Sequence, residues 1–171
     1  MSATLLVIAA SGAEAQSESS APPAAPCARD SLYRRFDFWV GSWLVTTPGG
    51  TPVGTSRVDV VSGGCAILES WRSARGAEGQ SLNTYDAARG QWRQFWVGQA
   101  GGLTDYARSE WDGKALVFYA DVAASDGKPA AMYRLSFTPL ETDVVRQLGE
   151  VSKDGGRSWQ TTYDFRYHRN P

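Results

Sequence analysis

Glu69, Gln94 and Gln147 are polar residues set among rings and aliphatic side chains in short alternating segments. In "CAILESWR", alternation puts Ile67, Glu69 and Trp71 on one face. In "QWRQFWV", Trp92, Gln94 and Trp96 share a face, and in "VVRQLGEVS", Val145, Gln147 and Gly149 do. The aromatic face of "RSWQTTYDFRYHR" carries Trp159, Tyr163, Phe165 and Tyr167. Collecting these faces gives a candidate ligand-binding set: Glu69, Trp71, Trp92, Gln94, Trp96, Gln147, Tyr163 and Phe165. An aromatic wall with a few convergent polar groups suits a small hydrophobic or aromatic ligand. Glutamine both donates and accepts, and an ionised carboxylate accepts. Among rings, the charged form of Glu69 is disfavoured unless a cation pairs with it. A carboxyl so placed can also serve as an acid or base. The structural alternative is that the polar groups bond only each other and buried water. A bulge in any strand would exchange inside for outside.

His168 is the only imidazole. Pointing inward it could ligate haem, but alternation puts it with Asp164 and Arg166, opposite the rings. No other metal or cofactor is expected. Asp154 in "SKDGGRSW" reads as a hairpin turn, since a lone carboxylate makes no calcium site. No Cys/His set suits zinc, no Gly-rich loop leads into a helix, and no Ser lies in a motif with His. Cys27 and Cys65, the only cysteines, are expected to form one disulfide, the alternative being unrelated thiols.

The elements that must position these residues are strands. About ten short alternating segments follow Phe36, separated by Gly-, Asp- or Asn-bearing turns. The expected fold is all-β: an antiparallel up-and-down barrel with a short helix at "RDSLYRRFDFW" before it. A ten-stranded barrel is wide enough to leave a cavity. A two-sheet sandwich is the alternative, but the short turns leave no place for its long crossovers. "FDFWVGSW" reads as barrel closure, with Trp39, Gly41 and Trp43 at the closed end. Arg166 or Arg169 from the last strand would stack on the Trp43 indole.

Net charge is −1 and the cations are scattered, which argues against a nucleic-acid partner. Residues 1–15, with "ATLLVIAA" and then "AEA", read as a signal peptide, although no Lys or Arg precedes the apolar run. Residues 16–28 read as a Ser/Pro/Ala-rich linker, and residues 29–171 as the barrel domain. A periplasmic or secreted location follows, with no membrane span in the mature chain.

"FDFWVGSW", "GGCAILESW", "GQWRQFWV", "RQLGEVSKDGGRSW" and "YDFRYHR" together resemble an exported bacterial family with a lipocalin-like (calycin) barrel. "GSW" is similar to the G-x-W start of lipocalins, and the likeness runs from about Cys27 to Arg169. The resemblance implies a fold and a location, with no agreed activity attached. The expected function is an exported protein that holds a small hydrophobic or aromatic ligand inside the barrel. The alternatives are an isomerase- or cyclase-type enzyme using Glu69, and a structural module with the outer "YDFRYH" face as a dimer edge.

Overall fold

Alternating segments with glycine-bearing turns build one antiparallel sheet of 11 strands in the computed structural model, which describes residues 26–124 and 129–170. The strands are β1 (Gly41–Thr46), β2 (Pro52–Val61), β3 (Ala66–Ser73), β4 (Glu78–Asp86), β5 (Gln91–Gly98) and β6 (Leu103–Tyr106). There follow β7 (Arg108–Trp111), β8 (Leu116–Val122), β9 (Ala131–Glu141), β10 (Val144–Ser152) and β11 (Gln160–Arg169). The count exceeds the expected ten because Ala107 interrupts "LTDYARSEW" and splits it into β6 and β7.

Sequential neighbours pair throughout, and β1 pairs with β11, so the meander curls back on itself. The sheet order starts at β6 and ends at β7, which share no ladder. There β5 lies beside β7 and β6 beside β8, leaving a nearly closed barrel. A side-chain bond from Gln91 Nε2 to the Ala107 carbonyl (2.8 Å) stitches this seam.

The segment before β1 plugs one end. Asp30 caps the short helix α1 (Ser31–Arg34) by accepting from the Leu32 amide at 2.8 Å. A 3-10 turn over Asp37–Trp39 then turns Phe36 and Trp39 into the barrel, both fully buried. Phe36 stacks on Trp39 (centroids 5.0 Å) and meets Phe137 edge-on at 4.9 Å, while Trp39 packs on Phe137 at 4.4 Å. Burying a ring of this size stabilises by roughly 1.5–3 kcal/mol. Trp43 donates its indole N–H to the Trp39 carbonyl at 2.9 Å.

The cation over Trp43 is Arg169, not Arg166: its guanidinium sits 4.4 Å from the ring centroid and donates to the Val40 carbonyl at 3.1 Å. Trp43 and Arg169 are register partners, and Arg169 continues the face of β11 that carries Tyr163, Phe165 and Tyr167. Arg166, one position off that face, binds Asp164 instead. Gly41 has φ of 144°, and a Cβ there would collide with the Arg169 guanidinium, so closure requires glycine at this point.

The first described element is a 3-10 turn over Pro26–Arg29, and a disulfide links Cys27 within it to Cys65 (S–S 2.00 Å). The expected signal peptide and the expected linker up to residue 25 lie outside the described residues. Among those described, no helix is long and apolar enough to cross a membrane.

Candidate functional site

Each inner strand face presents its residues in register. Ile67 pairs with Asn83, Glu69 with Ser81, Asn83 with Gln94, and Gln147 with Phe165. The result is a cavity of about 420 Å³. Of the residues singled out in the sequence, Glu69, Trp71, Gln94, Trp96, Gln147, Tyr163 and Phe165 line it. Trp92 does not. It shares the inner face of β5 but lies at the plugged end, 5.6 Å from Phe36, donating its N–H to the Leu32 carbonyl at 3.1 Å.

The rings at the wall are seated on glycines. A Cβ on Gly54 would stand 2.6 Å from Cη2 of Trp71, one on Gly79 would stand 2.5 Å from Cζ2 of Trp96, and one on Gly149 would stand 2.9 Å from Cδ1 of Tyr163. Each indole or phenol thus fills the space over a bare backbone on the next strand and turns its remaining surface to the cavity. Phe165 joins them, nearly parallel to Trp71 (13°, centroids 6.1 Å) and to Tyr163 (24°, 4.9 Å).

Beneath the rings lies a continuous polar network. Ser56 Oγ donates to Glu69 Oε1 at 2.9 Å and Ser81 Oγ to Glu69 Oε2 at 3.0 Å. Asn83 Nδ2 donates to Ser81 Oγ (3.1 Å), and Asn83 Oδ1 accepts from Gln94 Nε2 (2.7 Å). The Tyr167 hydroxyl lies 2.9 Å from Gln147 Oε1 and 3.3 Å from Glu69 Oε1. It has one proton: with Glu69 protonated the Gln147 contact takes it, and with Glu69 ionised the carboxylate competes for it. A protonated Glu69 can then donate to Tyr167, giving an ordered run from Glu69 through Tyr167 to Gln147.

Burial pushes Glu69 up to about 7, against the pull of the Ser56, Ser81 and Tyr167 hydroxyls. No Lys or Arg bonds to it among the described residues. Burial also raises the Tyr106 phenol to about 12 and holds those of Tyr163 and Tyr167 above their ordinary range.

On the face opposite Leu135 and Gly149, Arg134 bonds Glu150 at 2.7 Å and lies 4.3 Å over Trp159. Trp159 is therefore outside, not on the inner face with Tyr163. A bulge between Gly149 and Glu150 shifts the register, pairing Gly149 with Tyr163 but Glu150 with Thr161. Asp154 accepts from Ser152 Oγ (2.8 Å) and from the Arg157 and Ser158 amides (3.0 and 2.9 Å), so it builds the hairpin turn. His168 is exposed on the outer face, 3.3 Å from Thr46 Oγ1, and does not line the cavity.

A larger groove of about 640 Å³ crosses β1–β5, with exposed, outward Thr55, Arg57, Ser70, Arg72, Gln80 and Val97 in its lining. Its arginines are already paired, Arg57 with Asp59 at 2.8 Å and Arg72 with Glu78. The inner cavity, smaller but walled by rings over buried polar groups, is the better-built site.

Tyr167, Ser56, Ser81, Asn83, Thr104, Tyr106 and Tyr133 complete the site or its support and were not in the sequence-derived set. Strand alternation contained the signal for Tyr167. For the serines and Asn83 the only signal was their position opposite Glu69 and Gln94, which appears once the register is known. Comparison with protein-family models and with curated proteins finds no match.

Proposed function

We propose that this protein is an exported lipocalin-like binding protein that holds a small, largely aromatic or hydrophobic molecule inside its barrel. The observation that carries this reading is the cavity of about 420 Å³, within the roughly 300–1,000 Å³ range of small-molecule sites. Trp71, Trp96, Tyr163 and Phe165 wall it, and Gln94 and Gln147 lie deeper. Gln94 commits Nε2 to Asn83, leaving Oε1 without a side-chain partner among the described residues. Gln147 commits Oε1 to Tyr167. One free acceptor and one free donor would orient a ligand whose body the rings shield from water. The Cys27–Cys65 disulfide supports an oxidising compartment.

Acid–base catalysis by Glu69 is the less favoured reading. Both carboxyl oxygens already face hydroxyls from Ser56, Ser81 and Tyr167, an arrangement that holds the group rather than freeing it for proton transfer to a substrate.

The test is native mass spectrometry of protein purified gently from cells that export it. An added mass that leaves on denaturation, and is lost in a folded Trp96→Ala variant, is the expected result. The bare polypeptide mass, together with no quenching of tryptophan fluorescence by extracts of those cells, would overturn the reading.

A further inference from the structure

The charge inventory of the cavity is one-sided. Among the lining residues, the ionisable groups are Glu69, Glu150, Arg134, Tyr106, Tyr133, Tyr163 and Tyr167. Arg134 is bound to Glu150 and stacked on Trp159, so those two charges cancel each other. The remaining carboxyl of the lining, Glu69, is 3% exposed and fixed by three hydroxyl neighbours, with no Lys or Arg bonded to it among the described residues. Hydroxyl donors aimed at both oxygens suit a carboxylate. A buried carboxylate also needs a counter-charge, which the barrel does not supply.

The walls point the same way. Indole, phenol and phenyl faces carry negative potential, and they attract a cation most strongly where water is excluded. Trp71, Trp96 and Tyr163 are held against the wall by Gly54, Gly79 and Gly149, so their cavity-facing surfaces are fixed in advance of any ligand. The free Gln94 Oε1 adds an acceptor close to Asn83 and the Glu69 network.

From the aromatic cage, the unpaired buried acid and the free acceptor, we infer that the ligand is a small organic cation: an ammonium group on an aromatic or alkyl body. This rests on the binding reading above and specifies its ligand class. The ammonium sits over Glu69, surrounded by Trp71, Trp96, Tyr163 and Phe165, and donates to Gln94 Oε1. Its body fills the rest of the cavity.

The test compares phenethylammonium chloride with neutral phenethyl alcohol, by titration calorimetry and tryptophan fluorescence at about pH 8, where Glu69 is mostly ionised. The ammonium binds at least about tenfold more tightly than the alcohol. In Glu69→Gln, an isosteric change checked for folding by circular dichroism, that preference for the ammonium over the alcohol collapses. A second readout does not depend on the variant. Near pH 6 the bound cation draws the proton off Glu69, so the binding heat differs between buffers of different ionisation enthalpy. Alcohol binding equal to or tighter than ammonium binding would overturn the cation inference and leave the binding reading standing. Binding of neither probe at millimolar concentration would count against both.

Discussion

Replacing Glu69 by Gln should change the pH dependence of stability in one direction only. In the folded protein, burial raises the carboxyl from 4.5 to about 7. The group therefore holds its proton in the native state over a pH range in which the unfolded chain has lost it. Below pH 4.5 both states are protonated, and Glu69 costs nothing. As pH rises from there toward 7, the unfolded state gains from ionisation and the native state does not, so stability falls; above 7 the loss is complete. At 1.36 kcal/mol per unit, the shift amounts to a ceiling of about 3 kcal/mol. It is a ceiling because the carboxyl borders a cavity rather than packed core. Urea denaturation of wild type and Glu69→Gln, with the disulfide intact, would be run at intervals from about pH 4 to pH 9. The other carboxylates are common to both proteins and cancel in the difference. The Glu69→Gln variant should match the wild type at the acid end and exceed it by a growing margin up to neutrality. A constant difference, or a wild type that gains on the variant as pH rises, would refute the reasoning. It would mean that the Ser56, Ser81 and Tyr167 hydroxyls stabilise the carboxylate more than burial disfavours it.

Gly79→Ala forces Trp96 off the wall and should destabilise by about 1–3 kcal/mol, with a changed near-ultraviolet circular dichroism spectrum; an unchanged spectrum and midpoint would show that the ring is not seated on that glycine. Arg169→Met removes the cation over Trp43 and the bond to Val40, and should cost about 1–2 kcal/mol, whereas Arg166→Met should cost less; their denaturant midpoints decide the order. Reducing Cys27–Cys65 frees a loop with a separation of 38 residues, for which chain entropy gives about 4 kcal/mol; urea midpoints with and without a thiol reductant measure it.

Much of the barrel was legible because the strand period and the turn residues agree along the chain. Faces were right for β3, β5 and β10 since none has a bulge between its inward residues at the cavity floor. Trp159 was misplaced because the Gly149/Glu150 bulge adds a residue that nothing in "RSWQTT" announces. Trp92 had the correct face but the wrong depth, since alternation tells inside from outside and not how far down the barrel a residue lies. The strand count slipped at Ala107, an ordinary residue where no Gly or Pro marks the break. Arg169 was separable from Arg166 only through the register that sets it against Trp43. The serine partners of Glu69 could not be read: Ser56 and Ser81 come from different strands, and hydroxyls that short are silent until pairing brings them together.

The seam at Ala107 has a consequence for how the molecule can be divided. The strands that lack a mutual ladder are consecutive in the chain, so β1–β6 and β7–β11 are each uninterrupted meanders that meet edge to edge at β1 and β11. Cutting the backbone at Ala107 severs no strand pairing. The amino-terminal piece carries the disulfide, the plug and Glu69; the carboxy-terminal piece carries Gln147, Tyr163, Phe165 and Tyr167. Neither has a whole cavity. Separately expressed, the pieces should pair along β1 and β11 and rebuild the cavity, and the seam is equally the place to test for a break in the chain.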